Sequence, residues 1–188
     1  MPPPRPDDVL QYYKRSLDAL TALKEWLNSA LDAGQSLPAS SNFLSMTAAE
    51  IGLAFDDLHV ELKREVVLML VASFEAVLQL DLQNRVSRKL KDGVSSRLRK
   101  WWYKTRRKYA NWVELEALLE AWKKASTCRP RVIGRMKSLV LHRHWLAHGR
   151  YWTDKSGLGA VDPFVAWQIG KQLFDNLPGF PTLSHSPG

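Results

Sequence analysis

The chain predicts an all-α protein, a bundle of about five helices, on three observations. Apolar residues recur three and four apart along several long stretches, the period of a helix buried on one side. Residues that start and stop helices bracket those stretches, among them Gly34, Gly93, Pro130 and Gly149. No stretch shows the alternation of a strand, and neither an internal repeat nor a glycine-rich phosphate loop is present.

Asp7 and Asp8 suit the cap of a first helix, which Leu10, Tyr13, Leu17, Leu20, Leu23, Leu27 and Leu31 continue and Gly34 stops. Residues 35–47 read as a Ser-rich linker with Pro38. Thr47-Ala48-Ala49-Glu50 is a capping-box pattern where a helix can start, with Gly52 a point at which it can break. Leu58, Leu62, Val66, Met69/Leu70, Ser73, Val77 and Leu80 then mark the central helix. It is apolar on nearly every side over 66–80 and is expected to reach Leu90 and end near Gly93. A helix is expected over Asn111–Lys124, with Trp112, Leu115, Leu118 and Trp122 on its buried face. Pro130 suits the first turn of the next helix, which runs to His148, with Gly149 at its C′ position. A last helix is expected over Val161–Asn176, ended by Leu177-Pro178-Gly179. The organisation read from this is an N-terminal helix and linker over 1–46, a helical bundle over 47–180, and a disordered tail over 181–188.

At 188 residues the chain is long enough to bury a sizeable core. One cysteine, Cys128, excludes an internal disulfide and a cysteine-rich zinc site, and it fits a reducing compartment. Met1-Pro2-Pro3-Pro4-Arg5-Pro6 lacks the apolar run of a signal peptide, and the apolar stretch 66–80 is too short to span a bilayer. A cytoplasmic protein with no membrane partner is expected. The net charge of +8 is concentrated. Residues 85–108 carry eleven basic side chains against one acid, Asp92. A block of one sign in a near-neutral body marks a polyanion or an acidic partner.

That block includes Arg97, Arg99, Lys100, Lys104, Arg106, Arg107 and Lys108, interleaved with Trp101, Trp102 and Tyr103. Such a mixture can take RNA, with cations on phosphates and rings on unpaired bases. The plainer reading is a solvated segment whose aromatics pack inward. It explains one or two rings better than three in succession, because consecutive helical positions cannot all face one core.

Arg143-His144-Trp145-Leu146-Ala147-His148-Gly149 is the second feature. Arginine holds a phosphate in a fixed fork of donors, and histidine moves protons near neutral pH. Arg143 is in register with Val132, Met136, Leu139 and Ala147, on the apolar face of its helix. Glu75 is the one charged residue of the central helix between Glu65 and Asp81. A buried charge needs a partner, so the two form either a structural pair or part of one polar pocket with His148. A separation of five turns side chains by roughly 140°, so Arg143 and His148 do not share a helix face. His148 at the helix end gains about 0.3–1 kcal/mol for its charged form from the helix dipole. His144 and His148, four apart, could hold a metal, but no third ligand is evident nearby, and no metal is expected.

Arg143-His144-(x3)-His148 resembles the Arg-polar-x-x-x-His signature of the HEPN superfamily, small all-helical domains that include metal-independent endoribonucleases of toxin–antitoxin and phage-defence systems. Val71–Leu78, with Glu75 following Phe74, looks like the family's early core helix. The resemblance covers roughly 56–176. It implies a cofactor-free endoribonuclease in which a ribose 2′-hydroxyl attacks the adjacent phosphate. His148 would be general acid or base, Arg143 would stabilise the phosphorane, Glu75 would orient one of them, and His144 would line the pocket. It further implies a homodimer with the site at the two-fold axis and, for a toxin, a cognate antitoxin. The alternative it leaves is a non-catalytic module that binds a nucleotide or a partner protein.

Overall fold

A computed structural model describes residues 3–38, 40–106, 113–148 and 153–180. Six helices run through them: α1 (Pro6–Asp32), α2 (Ala48–Ser87), α3 (Gly93–Arg106), α4 (Leu115–Ala125), α5 (Pro130–Ala147) and α6 (Pro163–Asn176). Among the described residues no strand occurs and no helix is long and apolar enough to cross a membrane. The protein is an all-α bundle.

Each start has a local cause. Arg5, not an aspartate, caps α1, with Pro6 in the first turn. Asp8 accepts the Arg5 N–H at 3.2 Å. Asp7 accepts the indole N–H of Trp167 at 2.9 Å, tying α1 to α6. Both aspartates lie where the helix dipole favours an anion. Thr47 and Glu50 form the expected capping box: Glu50 accepts the Thr47 N–H at 2.7 Å and Thr47 Oγ1 accepts the Glu50 N–H at 3.3 Å. Pro130 opens α5, and Asp162 caps α6 through the Phe164 N–H at 2.9 Å.

Helix α2 differs from the expectation at both ends. It passes through Gly52 unbroken, because Ile51 and Phe55 are fully buried on either side of it. Such burial outweighs the ~1 kcal/mol that a helical glycine costs. It ends at Ser87, where Lys89 takes a left-handed φ of 50°. Gly93 therefore opens α3 instead of closing α2. Asp92, the one acid of the basic block, accepts the Ser95 N–H at 2.9 Å and starts that helix. The helix expected from Asn111 begins at Leu115; residues 107–112 lie outside the described residues, as do Gly149 and the 181–188 tail.

The core forms around α2. Val66, Val67, Leu70, Phe74 and Leu78 bury against Leu118 and Trp122 of α4, Met136 and Leu139 of α5, and Ile169 and Leu173 of α6. Gly170 lets α6 approach α2 closely, since a Cβ there would run into the Phe74 ring. The start of α1 (Val9, Leu10, Tyr13) joins this same core. Its end packs with the start of α2 in a smaller cluster of Leu27, Ala30, Leu37, Ile51 and Phe55.

Candidate active site

Glu75 and Gln79 lie one turn apart on α2. Gln79 donates to the Val113 carbonyl and so fixes the entry to α4. Glu114, Leu115 and Glu116 then form one wall of a cleft of about 190 Å³, with Glu75 at one side and Arg143 and His144 of α5 opposite. The structure thus brings together Arg143, His144 and Glu75, and adds two carboxylates that the sequence had not marked. Glu116 sits in the first turn of α4, a common place for an acid.

The cleft is loosely paired. Arg143 Nη2 is 3.9 Å from Glu75 Oε2, and His144 Nδ1 is 3.9 Å from Glu116 Oε1. Both exceed hydrogen-bond length. The Arg143 side chain is 32% exposed, against 11% for Glu75. Glu75 Oε1 is buried without a partner. Burial pushes the Glu75 carboxyl above its ordinary range; Arg143 and His144 oppose that shift and Glu116 adds to it. Arg143 therefore keeps donors for a ligand while facing a carboxyl disposed to hold a proton.

His148 is the C-cap of α5, exposed, with its N–H on the His144 carbonyl at 3.1 Å. Its ring stands 6.4 Å from that of His144, nearly perpendicular. It is not among the residues lining the cleft. No group of three potential metal ligands forms among the described residues. His142 is buried at 3% exposure, with Nδ1 2.7 Å from Asp154 Oδ2. Asp154 lies in a loop beyond the helix end, so no periodicity could have linked the two.

The basic block divides by role. Arg85 is buried, bonded to Asp81 at 2.6 Å, to Ser95 at 2.9 Å and to the Pro178 carbonyl at 2.8 Å, over the Trp122 ring. It holds α2, α3 and the end of α6 together. Arg97 donates to the Ala125 carbonyl and Arg99 to the Leu90 carbonyl, each at 2.9 Å. Lys100 and Lys104 are exposed. Trp102, expected to stack on a base, is in the core at 8% exposure, and Trp101 packs against that core. Tyr103 is the outward ring, at 48%. The inward-packing reading holds for the two tryptophans because both find apolar neighbours on α3's buried side. The side chain of Arg106, with Arg107 and Lys108, lies outside the described residues.

No family model, curated protein or solved structure matches this chain.

Proposed function

We propose that the protein is a HEPN-like, metal-independent endoribonuclease. The observation that carries this reading is the Arg143 guanidinium, open to a cleft and only loosely held by Glu75. Arg143 takes the bridging phosphate and stabilises the charge of the phosphorane. The 2′-hydroxyl oxygen bonds to phosphorus, the 5′-oxygen leaves, and a cyclic phosphate and a 5′-hydroxyl result. His148 moves one of the two protons involved. Leu141, His144 and His148 recur along one side of α5, whereas Arg143 turns toward α2. A second copy packed on that side supplies His148 to the Arg143 of the first, which makes the working unit a homodimer. The exposed cations of α3 draw the RNA, and an acidic antitoxin would compete for them.

A second reading is a non-catalytic binding module. It is favoured by the balance of the cleft, where Glu75, Glu114 and Glu116 face one arginine and one histidine. The test is incubation of single-stranded RNA in EDTA. Cleavage with cyclic-phosphate ends is expected, lost by about 10²–10⁴-fold in Arg143→Ala and in His148→Ala with circular dichroism unchanged. Binding of RNA or an acidic protein without any cleavage selects the module.

A further inference from the structure

A cavity larger than the Arg143 cleft lies elsewhere in the bundle. It lies between α2, α5 and the 154–161 segment and encloses about 410 Å³, within the ~300–1,000 Å³ of small-molecule sites. The two cavities share no lining residue. Most of this one is apolar, walled by Val60, Trp145, Leu146, Ala160 and Val161. Its polar groups are few: Lys63, Arg64, His142 and Asp154.

The His142–Asp154 pair is built into the wall. Asp154 accepts from the Ser156 N–H at 2.8 Å, the Ser156 hydroxyl at 2.9 Å and His142. Burial opposes its ionisation, but these hydrogen bonds outweigh burial and hold the carboxyl below its ordinary range. An ionised carboxylate only accepts, so His142 Nδ1 carries the hydrogen and Nε2 is the nitrogen left for a ligand. The Trp145 ring stands 5.5 Å from that of His142, tilted by 36°. Both cations are paired with surface carboxylates. Lys63 is 3.9 Å from Asp162, both sites well exposed, and Arg64 pairs with the exposed Glu61. Such surface pairs contribute about 0–1 kcal/mol and give way to a ligand anion.

We propose that this cavity is a second ligand site that takes a small amphipathic carboxylate. The apolar or aromatic body lies against Val60, Trp145 and Leu146, and the carboxylate meets Lys63 and Arg64. A ligand hydroxyl can reach His142 Nε2. Apolar walls disfavour a nucleotide, whose sugar would be left without hydrogen-bond partners. Because α5 walls both cavities, occupancy here touches the helix that carries Arg143.

The experiment titrates the full chain with 4-phenylbutyrate and octanoate by saturation-transfer NMR and calorimetry, beside neutral 4-phenylbutyramide and adenosine monophosphate. Saturable binding of an acid is expected, with the amide weaker by about tenfold or more. Lys63→Gln with Arg64→Gln, at one exposed and one half-buried position, should remove that preference and leave the amide unaffected. Arg143→Ala should bind the acids as the parent does. No saturable binding of either acid, equal affinity for the amide, an unaltered preference in the double substitution, loss in Arg143→Ala, or tighter binding of the nucleotide each overturns the proposal.

Discussion

Glu75 has one carboxylate oxygen, Oε1, buried and unpartnered, and the other 3.9 Å from the Arg143 guanidinium. Burial raises its pKa, so the folded state binds this proton more tightly than the unfolded chain. Stability from this group is present below the ordinary carboxylate range and falls as pH rises toward the raised folded value. Glu75→Gln should therefore melt like the parent under acid conditions and above it at neutral pH; urea unfolding at several pH values reads the difference. A parent-like melt at every pH would mean that the carboxyl is solvated. The Arg143 pair is long and one-third exposed, unlike a sealed ion pair. Removing one partner of a sealed pair costs ~3–5 kcal/mol; here the coupling in an Ala/Ala double-mutant cycle should stay below about 1 kcal/mol. That Glu75 and Arg143 face each other was legible in the sequence, since each is a lone charge on an apolar face. Their distance and the orphaned oxygen were not, because both depend on how α2 and α5 pack, which no local pattern sets.

At the scale of the element, α3 is where charge and packing were hardest to separate. Glycine before a basic run reads equally as a stop or a start, and only the Asp92 cap and the left-handed Lys89 decide for a start. The tryptophans were ambiguous for the same reason: a 14-residue helix with two neighbours buries more than one stripe. Trp102→Ala should thus act on stability, by about 3–5 kcal/mol in denaturant unfolding, instead of on RNA affinity alone. RNA binding should fall on the exposed lysines. Each phosphate contact contributes a slope of about −0.7 in log affinity against log salt for a single strand, so Lys100→Gln with Lys104→Gln should flatten the slope by about 1.4. Anisotropy of a labelled oligomer in the His148→Ala background measures it, and an unchanged slope would turn the basic face toward a protein partner.

Across the whole molecule, α1 is bound into the bundle through Val9, Leu10, Tyr13 and the Asp7–Trp167 hydrogen bond, 160 positions apart in the chain. The all-α bundle was legible because α2 is apolar almost all round over 66–80, and a helix of that kind must be surrounded; α3, the helix beyond the expected five, was not. The proposed chemistry, by contrast, is split within one chain. Arg143 faces the Glu75 cleft, while Leu141 and His148 lie on the outward side of the same helix, with Leu141 48% exposed. On the proposed reading, a second copy of the chain packs on that stripe and brings its His148 to Arg143. The two-fold reading has a consequence that one chain acting alone cannot reproduce: catalytic turnover per chain depends on concentration. Sedimentation should give twice 21.5 kDa at high concentration. On dilution, specific RNA-cleaving activity should fall as the dimer dissociates. Leu141→Asp, which places a charge on the outward stripe, should shift both curves to higher concentration together while leaving helical content intact. Activity per chain that stayed constant while the mass halved would place Arg143 and its proton-transfer partner within a single protomer.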